Sequence, residues 1–268
     1  MSHSSVLVAV SYLAPNWFPF YQAVINYLAP ALQTKIELVQ GVCDPLVDPL
    51  LLQDQLDLAF ICGLPLMRHQ QITPGQLQPI VAPVMQADRY QNRPIYCADV
   101  IVHANSRFNT FAELMNAIVC YNDPGSNSGY YLLCHYLWQH HCPPHFFNQA
   151  LPSGSHQNSI RWVVEGKADC AAIDSTVLEQ EFRLSPQLAD QLRIITALDF
   201  CPMPPIVAAQ HLGVNCIQRL RSALLQPDPA LQQAMFAMQV QRYAPVNLDD
   251  YQAIARIYTE IVAAGYAL

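Results

Sequence analysis

The stretch Ile118-Val119-Cys120-Tyr121 runs into Asn122-Asp123-Pro124-Gly125-Ser126-Asn127-Ser128-Gly129-Tyr130, an apolar β-branched run followed by small and hydroxylated residues. That order predicts strand, loop, helix. A helix start exposes up to four unsatisfied N–H groups and about half a positive charge, so it can hold an oxyanion with backbone donors and serine hydroxyls and without Lys or Arg. Ser126, Asn127, Ser128, Gly129 and Tyr130 are the candidate binding residues here, against the plainer role of a capped helix after a tight turn. A second loop of similar make, Leu151-Pro152-Ser153-Gly154-Ser155-His156-Gln157-Asn158-Ser159, opens another helix. Its candidates are Ser155 and His156, the histidine either donating to the same anion or facing solvent. Asp174 ends the apolar run Cys170-Ala171-Ala172-Ile173, where ligands of open α/β sheets bind. It either holds a ligand amine or hydroxyl or caps the next helix.

Other chemistries fit less well. Gly125-Ser126-Asn127-Ser128-Gly129 is near a nucleophile elbow, but that motif needs Ser in the third position, where Asn127 stands, so a hydrolase is disfavoured and no enzyme is expected. No phosphate-loop, dinucleotide or zincin motif occurs, and no cofactor is expected. Cys134-His135, His140-His141-Cys142 and His145 suggest metal ligands, but Pro143-Pro144 break the helix that would align them. In the first part of the chain, Tyr12, Trp17, Phe18 and Tyr21 are either core or a ligand-facing wall, with Tyr12 and Trp17 the binding candidates.

These residues need a scaffold, and the chain alternates short β-branched runs with helical periods, the α/β pattern. Strands are expected over 6–10, 36–40, 58–62, 80–84, 95–102, 118–121, 170–173, 193–196 and 206–209. Helices are expected over 17–32, 129–140, 157–165, 216–225, 230–240 and 251–264. The 268 residues exceed the size of a usual single domain. Asn92-Arg93-Pro94 and the proline-rich Asp199 to Pro205 read as crossings between two lobes, so 96–200 forms one lobe with the oxyanion loops, while 1–95 and 201–268 form the other.

Composition removes whole classes of partner. Hydrophobic residues make up 52% and charged ones 12%, which argues for a folded core rather than disorder. A net charge of -7, with Lys35 and Lys167 as the only lysines, leaves no basic stripe for nucleic acid. Every apolar run stops short of a bilayer-spanning length. Met1-Ser2-His3-Ser4-Ser5 has neither the basic nor the apolar region of an export signal, and nine cysteines without a C-x-x-C pair suggest buried thiols in a reducing compartment. The cytoplasm is the expectation from these two features, the periplasm the alternative should a signal have been removed.

Taken together, the Asn122 to Tyr130 loop, the Ser153-Gly154-Ser155-His156 loop, the Gly166-Lys167-Ala168-Asp169 turn with Ala172-Ile173-Asp174-Ser175, and Met203-Pro204-Pro205-Ile206-Val207 follow one another in a familiar order. In that order and approximate spacing the chain resembles the phosphate/phosphite/phosphonate-binding proteins of ABC transporters across nearly its full length. Phe18-Pro19-Phe20-Tyr21-Gln22 and Ala59 to Pro65 are weaker matches of the same kind. The resemblance implies a type 2 periplasmic-binding-protein fold, two α/β lobes joined by two crossover strands and closing on a ligand between them. It assigns the anion to Ser126, Asn127, Ser128 and Gly129, with Ser155 and His156 opposite. Asn127 and Leu66 stand where members often carry a hydroxylated and an aromatic residue. The expected function is non-enzymatic binding of a small oxyanion, phosphonate, phosphite or phosphate, with an ABC transporter permease or a signalling protein as partner. A cytosolic sensor of another small molecule is the alternative.

Overall fold

Unbroken aliphatic runs become strands buried on both faces, and alternating runs become edges. In chain order the strands are β1 (Leu7–Ser11), β2 (Ile36–Gln40), β3 (Leu58–Phe60), β4 (Leu77–Met85), β5 (Ile95–Tyr96), β6 (Ala98–His103), β7 (Ile118–Tyr121), β8 (Gln149–Pro152), β9 (Cys170–Asp174), β10 (Leu192–Ala197), β11 (Cys201–Pro202), β12 (Ile206–Ala209) and β13 (Val240–Pro245). The helices are α1 (Phe18–Leu32), α2 (Pro49–Leu52), α3 (Gly63–Ile72), α4 (Leu132–Gln139), α5 (His156–Val164), α6 (Ser175–Leu184), α7 (Gln187–Gln191), α8 (Val214–Leu225), α9 (Pro229–Ala237) and α10 (Gln252–Ala263). This computed structural model describes residues 6–268. Met1-Ser2-His3-Ser4-Ser5, on which the reading of no export signal rests, lies outside the described residues.

The chain divides into two compact units. One ends its first segment at Ile95 and resumes over Pro202–Gln252; the other is Tyr96–Cys201 with Ala253–Leu268. The first unit holds a six-stranded mixed sheet in the order β13-β4-β12-β3-β1-β2, with β1 parallel to β2 and β3 and antiparallel partners beyond them. β3 and β12 are wholly buried, whereas the edge strand β2 alternates between half-buried and exposed positions. Core side chains such as Val10, Leu56, Ile61 and Val207 close one face of this sheet.

The second unit holds a five-stranded sheet in the order β10-β6-β9-β7-β8. β7 runs parallel to β8 and β9, while β6 is antiparallel to β9 and to β10. Every residue of β9 is buried, and Ile101, Cys120, Ile160, Ala171 and Leu178 form the core between this sheet and its helices. Among the described residues no helix is long and apolar enough to cross a membrane.

The structure departs from the sequence reading at particular places. Strand β8 has the sequence Gln-Ala-Leu-Pro on a partly exposed edge, too short and too weakly β-branched to register. Strand β13 lies where a mostly helical tail is expected: α9 stops at Ala237, Gln239 takes a left-handed φ of 57°, and the chain then pairs with β4. The last segment, Ala253–Leu268, belongs to the second unit, not to the first where 201–268 was placed. Its aromatic and acidic side chains account for this, since Tyr258 packs edge-on against Tyr131 at 5.0 Å and Glu260 lies 3.7 Å from His135.

Candidate functional site

Because β7, β8 and β9 are parallel, the loops that leave them emerge at one edge of the second unit's sheet. Strand β6 runs the other way and pairs its first residue, Ala98, with Asp174, so Tyr96 and Cys97 arrive at that same edge. Three chain segments opening helices and one entering a strand therefore share one place.

The loop after β7 is built by its own polar side chains. Asp123 Oδ1 accepts from Gly125 N at 2.7 Å, and Ser126, in extended conformation, accepts from Gly129 N at 3.0 Å through Oγ. The next turn, Asn127–Tyr131, is widened to a π-helical one, with Tyr131 N donating to Ser126 O at 3.1 Å, before α4 proceeds normally. Such turns recur at functional sites. The loop after β8 is tied in the same way. Ser153 and Ser159 hydroxyls stand 2.6 Å apart, and Asn158 donates through its side chain to Ser153 O and through its backbone to Ser155 Oγ.

His156 joins the two helix starts. It is the first residue of α5, is 8% exposed, and its Nε2 lies 3.1 Å from Ser128 Oγ. Its Nδ1 is buried without a hydrogen-bond partner. Asn127, fully buried, donates from Nδ2 to the Tyr96 hydroxyl at 2.8 Å, while its Oδ1 is likewise buried and unpartnered. Asn122 Oδ1 is a third such atom. Gly129 is what lets these groups close in: a Cβ there would run into the Asn122 amide and stand 3.3 Å from His156 Cε1.

Electrostatically the two loops rely on neutral donors, since residues 121–131 and 151–160 contain no Lys or Arg. Burial lowers the His156 pKa to about 4, so the ring is neutral at pH 7, one nitrogen donating and the other accepting. Asp174 sits at the same sheet edge as the N-cap of α6, its Oδ1 accepting from Thr176 N, Thr176 Oγ1 and Val177 N. Burial raises its pKa to about 6 against the opposing pull of those bonds. Buried polar atoms without partners are costly and rare in folded proteins, and four of them, Gln157 Oε1 included, lie beside these two helix starts, where a polar ligand could satisfy them.

Of the residues singled out in the sequence, Ser126, Asn127, Ser128, Gly129, Ser155, His156 and Asp174 meet at this edge. Ser126, Ser155 and Asp174 each spend an oxygen on a helix cap. Tyr130 follows directly on the same turn, its ring 5.1 Å from Tyr121. Tyr12 and Trp17 belong to the first unit. There Tyr12 donates to Asp48 Oδ2 at 2.7 Å, and Trp17, 2% exposed, packs edge-on against Phe20. Asn122, inside the first loop, and Tyr96, which only the β6–β9 pairing brings near, are not among the sequence candidates. Among the described residues no group of three or more His, Cys, Asp or Glu side chains is placed to hold a metal ion.

Comparison with known proteins agrees with this architecture. Residues 10–251 match the family described as ABC transporter, phosphonate, periplasmic substrate-binding protein. No curated protein matches. Among solved structures, the chain superposes on PhnD1 from Prochlorococcus marinus in complex with methylphosphonate with a TM-score of 0.83, at 18% identity and covering 97% of this chain and 99% of that one. A binding protein component of the ABC phosphonate transporter of Pseudomonas aeruginosa gives 0.82 at 16% identity, covering 96% and 87%. A Xanthomonas citri protein bound to chloride ion gives 0.73 at 18% identity, covering 96% and 100%. The fold is thus that of two-lobed periplasmic binding proteins, and with the family match extending from β1 to the start of α10, this chain belongs to the phosphonate-type periplasmic substrate-binding proteins of ABC transporters.

Proposed function

We propose that this protein binds a small phosphorus oxyanion reversibly and without chemical change, at the edge of the second unit where β7, β8 and β9 end. The observation that carries this reading is His156: buried, bonded to Ser128 across two helix starts, and holding a ring nitrogen with no partner. A tetrahedral anion offers several acceptor oxygens to the Ser128 hydroxyl, the His156 ring and the N–H groups of residues 127 and 128, the Gly129 N–H being held by Ser126. Asp174 keeps one carboxylate oxygen outside its cap, available to an amine or hydroxyl elsewhere on the ligand. The methylphosphonate held by the Prochlorococcus marinus protein and the family's description support phosphonates as the class. Handing the ligand to an ABC transporter permease is the role that follows from that family, and periplasmic capture goes with it. The cytoplasmic reading of the sequence finds no support in a family described as periplasmic.

Thermal unfolding with phosphate, phosphite, methylphosphonate, 2-aminoethylphosphonate and sulfate tests the proposal. Ligand at a hundred times its dissociation constant adds about 2.7 kcal/mol, a midpoint shift of about 5 to 11 °C at the 2 to 4 °C per kcal/mol usual for chains of about this size. A shift with at least one phosphorus oxyanion is expected; silence with all of them, or a response to uncharged solutes only, refutes it.

A further inference from the structure

We infer that capture of a dianion at this site takes up a proton from solvent and places it on His156, so that the anion is held by an imidazolium formed on binding. The inference rests on the oxyanion reading above and adds its regulation by pH. It begins with hydrogen-bond accounting. Ser128 Oγ and His156 Nε2 share one proton between them at 3.1 Å. With a neutral ring there are two arrangements. Either Ser128 donates to Nε2 and the ring turns Nδ1–H outward, or Nε2–H donates to Ser128 and only the hydroxyl proton is free for a ligand. Each leaves the pair with a single donor, and the second leaves a bare, buried Nδ1 acceptor, the atom that has no partner within the protein. An imidazolium removes the conflict: Nε2–H donates to Ser128, whose own proton turns outward, and Nδ1–H donates as well.

Charge points the same way. The two loops bring no Lys or Arg, so a second negative charge on the ligand meets helix ends, neutral donors and, at the same sheet edge, the Asp174 carboxylate, and no fixed positive charge from either loop offsets it. The titratable groups on the elements packed against α5 are Asp99 and His103 on β6, Cys120 and Tyr121 on β7, Cys170 and Asp174 on β9, and Glu179, Glu181 and Arg183 on α6, with Asp123 and Tyr130 on the neighbouring loop. The ring's low proton affinity has burial as its cause. A dianion beside it supplies the opposite charge that burial lacks, and proton and ligand then strengthen each other's binding reciprocally.

The test uses the wild-type protein labelled with 15N in its histidine rings and methylphosphonate as probe. Ring nitrogen shifts at neutral pH are expected to report a neutral His156 in the free protein and an imidazolium in the saturated one. Calorimetry in buffers of different ionisation heat is expected to count more protons taken up by wild type than by His156→Gln. Above the pH at which methylphosphonate is fully dianionic, affinity should fall about tenfold per pH unit in wild type. A neutral ring in the saturated protein overturns the inference even if the variant does not fold. So does equal proton uptake in both proteins, which would place the proton on the ligand. Absence of methylphosphonate, phosphite and phosphate binding altogether would instead refute the oxyanion reading, and is seen before any proton is counted.

Discussion

Ser128 carries two duties that a single substitution separates. Its hydroxyl contacts His156 and, in the proposed complex, the ligand. Ser128→Ala removes a hydrogen bond to a charged group, expected to cost about 1.5 to 3 kcal/mol of binding, which is roughly ten- to more than a hundredfold in affinity. It also leaves a second buried His156 nitrogen without a partner, so the folded state should lose stability of order 1 to 3 kcal/mol. Titration calorimetry on the folded variant reads the first effect and denaturant unfolding the second. Unchanged affinity with lowered stability would reduce Ser128 to a structural residue. Gly129→Ala is the steric counterpart. Because the displaced atom is the end of the Asn122 side chain, the fold should survive while affinity drops. The serines and His156 could be singled out from residue type and spacing, since small polar residues before a helical period either cap the helix or face a ligand, and Ser126 and Ser155 do cap. Asn122 was not, because its significance lies in where its oxygen is buried and not in its chemistry.

At the scale of elements, the helix starts of α5 and α6 carry titrations of opposite sign. His156 has its proton affinity lowered on folding, from an ordinary 6.5 to about 4, so it contributes stability that is full above pH 6.5 and lost as pH falls towards 4. Asp174 has its affinity raised, from 3.8 to about 6, so the folded state holds its proton more tightly and gains stability as pH falls through 6 to 4. Each shift is of order 3 kcal/mol, and in the ligand-free protein they nearly cancel between pH 4 and 6. Asp174→Asn keeps an acceptor for the α6 cap and removes one side of the balance. Its stability should therefore fall on acidification more steeply than that of wild type. Urea unfolding at pH 7 and pH 4.5 measures the difference, and parallel profiles would show that Asp174 does not carry its shift. The elements themselves were readable where burial wrote unbroken aliphatic runs, as in β9 and β12. They were unreadable where β-branched residues are missing, as in the Gln-Ala-Leu-Pro of β8, or where a strand follows a helical run almost without a break, as in β13.

The whole molecule is not divided as the positions of its prolines suggest, because the chain passes between units a third time, at Gln252 and Ala253. Nothing in the amphipathic pattern of α10 says which unit it covers; Ile254 and Ile261 would suit either core. What decides it is contact with the turn that opens α4. Tyr258 packs edge-on against Tyr131, whose backbone N–H closes the π-helical turn on Ser126 O, and the Tyr266 hydroxyl reaches the carbonyls of Cys142 and Pro143 at 3.4 Å. The tail thus packs against the 126–131 turn although none of its residues is proposed to touch a ligand. Tyr258→Ala removes an aromatic pair worth about 0.5 to 1.5 kcal/mol beyond its buried area. It should loosen the 126–131 turn and weaken methylphosphonate binding severalfold, while Tyr258→Phe, which keeps the ring, should bind like wild type. Hydrogen exchange should show the lost protection in β7, β9 and the start of α4, with the six-stranded sheet of the first unit unchanged. Protection lost in that first sheet instead, with the Asn127–Tyr131 turn unaffected, would mean that α10 supports the first unit and has no hold on the binding loop.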